Sequence, residues 1–156
     1  MKHIFALVLT LFSVAAFGQN VTNLYAGGIS FNGTASPRIA GTGLYARLIA
    51  DGSGTYAFTV VDALPASVRP FTVTTNMGVG IAQKLFTVGK VPIFLPTSAG
   101  VSFTGNNTGW MWNGGFLASV KVKGNWRVMP NVRFLKASVG GGGYQPIAGI
   151  LVGWGQ

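Results

Sequence analysis

Side chains able to do acid–base, nucleophilic or metal chemistry are scarce in this sequence, and those present are mostly of one sign. Beyond residue 18 the chain has no His, Glu or Cys. Its only carboxylates are Asp51 and Asp62, set against ten lysines and arginines. A Ser-His-Asp triad, a glycosidase carboxylate pair and a thiolate or His-rich metal site all lack their parts. No serine has a lysine at motif spacing, and the glycine run 140–143 is not followed by the Gly-Lys-Ser/Thr of a phosphate loop. No enzyme activity and no cofactor is expected. The remaining chemistry is anion attraction by Arg38, Arg47, Arg69, Lys84, Lys121, Lys123, Arg127, Arg133 and Lys136, so its form depends on how the chain positions these cations.

The composition narrows the scaffold. Of 156 residues, 49% are hydrophobic and only 8% charged, with 24 glycines and a mean hydropathy of +0.47. A water-facing exterior needs more Asp, Glu and Lys than this. The N-terminus runs from Met1-Lys2-His3 through the apolar stretch Ile4 to Ala16 and reaches Ala16-Phe17-Gly18. This reads as a signal peptide over 1–18, because about 13 apolar residues are too few to span a bilayer core as a helix. Cleavage removes Lys2, so the formal charge falls from +9 to +8, and leaves 19–156 as one domain. No other apolar run approaches the roughly 18 residues of a membrane helix, so any contact with lipid must be made by strands. The missing cysteines exclude a disulfide scaffold in the exported chain.

Period-two alternation supplies those strands. It is clearest from Trp110 to Phe134. Trp110, Trp112, Phe116, Val120 and Val122 fall on one face, and Met111, Asn113, Leu117, Ser119, Lys121 and Lys123 on the other. The chain turns at Gly124-Asn125, a dipeptide that tolerates positive φ, and returns with Trp126, Val128, Pro130, Val132 and Phe134 opposing Arg127, Met129, Asn131, Arg133 and Leu135. Further strands are expected over 23–31, 39–49, 55–61, 71–85, 93–103 and 144–154. A loop is expected over Asp62 to Pro70, because of its two prolines. In the third strand Tyr56, Phe58 and Val60 form the apolar row. The second has an ambiguous phase, since Tyr45 shares a face with Arg47; Leu44, Ala46 and Leu48 are placed outward, a charge being costlier in lipid than a tyrosine in a lumen.

Eight strands of about 9 to 13 residues fit an all-β, eight-stranded, antiparallel up-and-down transmembrane β-barrel. Threaded with the first strand running outward from the periplasm, the chain places Phe31, Phe71, Phe103, Trp110, Trp112, Phe134 and Tyr144 at outer strand ends. Tyr25, Tyr56, Trp126 and Trp154 fall at periplasmic ends, giving two aromatic girdles. The turns at 51–54, 88–90 and 124–125 are shorter than the outer loops, as such barrels require. In these features residues 20–156 resemble the small eight-stranded outer-membrane barrels of the OmpA transmembrane domain and OmpX type. That family usually closes on a terminal aromatic, whereas Trp154 is here followed by Gly155-Gln156, and no periplasmic domain is expected after the last strand.

The threading puts Arg47, Lys84, Lys121, Lys123 and Arg127 inside the periplasmic end and Arg133 inside higher up, as a largely unpaired basic lumen. Asp62 is expected in an outer loop. Arg38, Arg69 and Lys136 lie at the outer rim, where they could meet lipid headgroups or lipopolysaccharide phosphates. The leading expectation is a non-enzymatic, monomeric outer-membrane barrel with a structural or interaction role and a narrow or filled polar lumen. Its partners would be outer-membrane lipids and the barrel assembly machinery. The alternatives are a small pore for anionic solutes through the basic lumen and a secreted soluble β-barrel binding an apolar ligand. A nucleic-acid role is excluded by the dispersion of the cations.

Overall fold

The structure, a computed structural model, describes residues 23–32, 38–49, 54–68, 71–139 and 144–155. The expected signal peptide, Asp51 and Arg69 lie outside the described residues, as do the side chains of Arg38 and Phe71. The described chain forms β1 (Asn23–Asn32), β2 (Arg38–Leu48), β3 (Tyr56–Val68), β4 (Phe71–Val88), β5 (Val91–Thr104), β6 (Asn107–Ala118), β7 (Val120–Lys123), β8 (Trp126–Ala137) and β9 (Tyr144–Gly155). Each strand pairs antiparallel with its neighbours, β9 returns to β1, and β8 pairs with both β6 and β7. β6 and β7 are two lengths of one strand, interrupted where the Ser119 amide donates to the Pro92 carbonyl at 3.1 Å. The result is a closed, eight-stranded, up-and-down antiparallel β-barrel.

Closure fixes the width of the interior. A path across the ladders from Asn113 runs through Ser98, Gly80, Phe58, Ala46, Leu24 and Gly155 and comes back to its own strand near Lys123, about ten residues further on. Eight strands with that stagger tilt strongly and enclose a space that side chains can fill. The Gly124 turn has φ of 56°, the left-handed conformation that the expected Gly-Asn turn needs.

Alternation then sorts the two faces. Ile29, Phe31, Met77, Val79, Ile81, Val101, Phe116, Val132, Ile150 and Val152 are exposed on the outer wall, with Val79 at 66% and Ile150 at 54%. Inside are Leu24, Ala46, Phe58, Val60, Met111, Leu117, Met129, Leu135, Ile147 and Leu151, all buried. The inner face thus carries large apolar side chains as well as polar ones, and two expected strand phases are inverted. β2 buries Ala40, Thr42 and Ala46 and leaves Ile39 and Arg47 exposed. The outward Arg47 is tolerable because it pairs with Asn23, the first residue of β1, at the very end of the wall. β3 likewise turns Phe58 and Val60 inward and shows Ala57 and Thr59 outside. The rule that the apolar row faces out fails where the lumen is itself apolar.

The loop expected from Asp62 to Pro70 is also largely strand. β3 continues to Val68, with a register irregularity between Pro65 and Ser67 that absorbs the proline's missing donor. Asp62 consequently lies in the wall, its side chain inside.

Candidate functional site

The site is the barrel interior, stacked along the axis. At its middle is an ion pair. Arg133 on β8 donates from Nη1 to Asp62 Oδ2 at 3.1 Å and from Nη2 to Oδ1 at 2.9 Å. Thr42 Oγ1 on β2 donates to Asp62 Oδ1 at 2.6 Å and receives Arg133 Nη2 at 3.2 Å, while Arg133 Nε donates to Asn131 Oδ1 at 3.1 Å. With the Thr42 proton directed at Asp62, the Ser30 hydroxyl 3.2 Å away is the donor in their contact. Asp62 is 0% and Arg133 5% exposed. Four strands thus contribute to one bidentate, charge-assisted network in which most of the polar capacity of both ions is used.

Above this network Met111, Leu135 and Ile147 fill the interior, beside a polar cluster on β4 and β5. Asn76 and Ser102 face each other across the ladder, and Ser98 lies four pairs further along it, opposite Gly80. All three are buried, with side-chain atoms that find no protein partner.

Below the network the lumen opens into a cavity of about 450 Å³. Its wall is mainly Leu24, Leu44, Ala46, Phe58, Phe94, Pro96 and Leu117, with Tyr56 packed edge-on against Phe94 at 5.6 Å. Lys84 and Arg127 are the charged residues of its lining. Arg127 Nη1 donates to Ser119 Oγ at 3.2 Å, while its buried Nε has no partner. Between cavity and ion pair is a void of only about 10 Å³, lined by Leu44, Phe58, Leu117, Asn113 and Arg133. That is room for a single water at most. The cup narrows to this void beneath the ion pair.

The expected basic cluster is therefore dispersed. Arg133 is neutralised by Asp62 at the middle of the barrel, and Arg47 stands on the outer wall. Lys121 and Lys123 are exposed on the short β7, Lys121 opposite Arg127 across the ladder and Lys123, beyond a register shift, opposite Trp126. Among the described residues, Lys84 and Arg127 are the cations that line the lower cavity, and the rest of its wall is mainly apolar. The pairing of Asp62 with Arg133 had a signal in the sequence: Asp62 is one of two carboxylates beyond residue 18, and it follows Tyr56, Phe58 and Val60 at a period of two on one strand face, which carries it inward with them. The apolar lower lumen had another, since Phe58, Phe94 and Leu117 each alternate with residues equally fit to face outward.

Among the girdle residues, Phe31, Phe103, Trp110, Trp112, Phe134, Tyr144 and Trp126 are exposed on the outer wall. Trp154 pairs across the ladder with both Tyr25 and Trp126. Tyr45, on the same face as Arg47, stacks on Tyr25 with 4.9 Å between ring centroids. Tyr56 departs from the girdle and lines the cup, because the β3 phase is inverted. At the outer rim, Lys136 Nζ lies 4.9 Å from the Tyr144 ring centroid and 5.8 Å from that of Trp110, so this cation rests on aromatic faces. The described residues include no cluster of His, Cys, Asp and Glu that could hold a metal ion.

No protein-family model and no curated protein sequence matches the chain. Solved structures do. Neisserial surface protein A is similar with a TM-score of 0.65 at 9% identity, over 86% of this chain and 96% of that one. A de novo designed transmembrane β-barrel is similar with a TM-score of 0.51 at 13% identity, over 88% and 99%. At such identities the likeness is one of fold. The chain has the fold of the small eight-stranded membrane barrels.

Proposed function

We propose that this protein is a non-enzymatic barrel of the outer membrane, inserted as a monomer, whose role is structural or interactive rather than conductive. The observation that carries the reading is the pairing of two features in one wall. The outer face presents a continuous belt of exposed Val, Ile, Met and Phe between aromatic ends, and the interior is crossed by the Arg133–Asp62 network. An exposed apolar belt of that extent is unstable in water and stable against acyl chains. The similarity to Neisserial surface protein A, a surface protein by its name, supports the same location. Outer-membrane lipids are the natural partners of the belt, lipopolysaccharide phosphates those of the rim cations Arg38, Arg69 and Lys136, and the barrel assembly machinery the route of insertion. The anion-pore reading loses its support where the ion pair crosses the lumen and uses Arg133.

Expression of the full chain followed by fractionation tests this directly. The protein is expected in detergent-extractable outer membrane, with a heat-modifiable shift on gels and no stepwise conductance in planar bilayers. Recovery from the soluble fraction without detergent overturns the membrane reading. Discrete anion-selective steps overturn the non-conductive reading.

A further inference from the structure

We propose that the lower half of the barrel is a binding cup for one single-chain amphiphile with an anionic head, its tail among Leu24, Leu44, Phe58 and Leu117 and its head on Lys84 and Arg127. Three observations converge. The first is volume: about 450 Å³ lies within the range of roughly 300–1,000 Å³ typical of small-molecule sites and is far larger than packing defects leave. The second is the order of chemistry along the cup. Its narrow end is the void beneath Arg133, whose charge is already matched by Asp62, so the depth offers no free ion and suits hydrocarbon. Its ionic lining is cationic throughout, because Asp62 is the one carboxylate among the described residues and is committed to Arg133. The third is unmatched charge. Arg127, with Nη1 on Ser119, lines the cup together with Lys84, and the one carboxylate among the described residues is held by Arg133, so a carboxylate or phosphate head supplies the counter-charge. Lys121 and Lys123, exposed on the adjacent β7, add positive potential at the same end of the barrel. A neutral apolar ligand would leave the Arg127 charge unmatched. A wholly polar anion would leave the cup wall wet.

Fatty acids and phosphate-bearing single-chain lipids share this chemistry, and the test separates them. The barrel is reconstituted in phosphatidylcholine nanodiscs and titrated with dodecanoate, dodecyl phosphate, dodecanol or dodecyltrimethylammonium, with bound ligand read by native mass spectrometry. One equivalent of an anionic amphiphile is expected, held at least tenfold more tightly than the alcohol or the cation. The stronger of the two anions identifies a carboxylate or a phosphate source. Shortening the chain by two methylenes should weaken binding about tenfold. The double variant Lys84→Gln/Arg127→Gln should weaken anion binding about tenfold or more and leave dodecanol unchanged. Leu117→Trp, which fills the cup, should abolish binding with heat-modifiability retained; Ala46→Phe serves if that variant does not fold. Equal binding of dodecanol and the anions, undiminished binding in a folded cup-filling variant, or no bound anion overturns the proposal. Because binding is read on purified barrel, its failure leaves the membrane reading untouched, and soluble fractionation would leave the cup untouched.

Discussion

Arg133 and Asp62, 71 positions apart in sequence, meet inside the barrel through two hydrogen bonds of 3.1 and 2.9 Å, with neither side chain more than 6% exposed. The pair ties β3 to β8 across the lumen, a link that no ladder hydrogen bond provides. Removing one partner leaves the other ion buried and unmatched, an effect of about 3–5 kcal/mol. Arg133→Met and Asp62→Leu should therefore each lower the urea midpoint of the reconstituted barrel sharply. The double replacement should recover much of the loss, since a well-packed apolar pair can substitute for a buried ion pair. Additive losses in the double-mutant cycle would show that the two side chains do not act as a pair.

Thr42 is the hinge of the same network, donating to Asp62 at 2.6 Å and accepting from Arg133 and Ser30 at 3.2 Å each. Thr42→Val keeps the shape and removes all three bonds. A destabilisation of about 1–3 kcal/mol is expected, because the groups left behind are buried and cannot turn to water. Equilibrium urea unfolding in lipid vesicles measures it, with Thr59→Val on the outer face of β3 as the control expected to be neutral or slightly stabilising.

β4 and β5 approach closely at Gly100, where a Cβ would run into the Met77 carbonyl and the Gly78 Cα, both backbone atoms unable to rotate away. Gly100→Ala should therefore strain this ladder by about 1–3 kcal/mol. At Gly41, an added Cβ would meet nothing within 4 Å, so Gly41→Ala should be nearly silent. Matching midpoints for the two variants would contradict the close approach.

The closed barrel was legible in the sequence wherever the two faces of a strand differ. Met77, Val79 and Ile81 oppose Asn76 and Gly78; Trp110, Trp112 and Phe116 oppose Asn113 and Ser119. In both the structure keeps that sorting. It was illegible in β2 and β3. There Phe58 and Val60 could serve either a lipid face or a packed lumen, and a period of two cannot distinguish them. The error carried into the site, because inverting β3 removes Tyr56 from the girdle and brings Asp62 inside. The decisive fact is non-local: a carboxylate on β3 is acceptable in the interior only because an arginine 71 residues away reaches it, and no pattern within either strand encodes that meeting.

The outer belt makes the most direct prediction about the surroundings of the barrel. Val79, 66% exposed, lies midway along β4 between Met77 and Ile81 on the same face. In water, Val79→Lys would be neutral or favourable, for it replaces exposed hydrocarbon with a solvated charge. In a bilayer the same change places an ammonium near the midplane, an effect of about 2–4 kcal/mol that falls to roughly 0–1 kcal/mol near the interfaces. Trp126→Lys, at the first position of β8 beside the turn, supplies the shallow control. The expected order in phosphatidylcholine vesicles is a large loss for Val79→Lys and a charge effect several-fold smaller for Trp126→Lys, once the Trp126→Ala loss is subtracted. Val60→Lys, which buries an unmatched cation inside, should be destabilising whatever medium surrounds the wall. A Val79→Lys variant as stable as the parent in vesicles would mean that this face does not meet lipid, and the belt would then have to be covered by another protein surface.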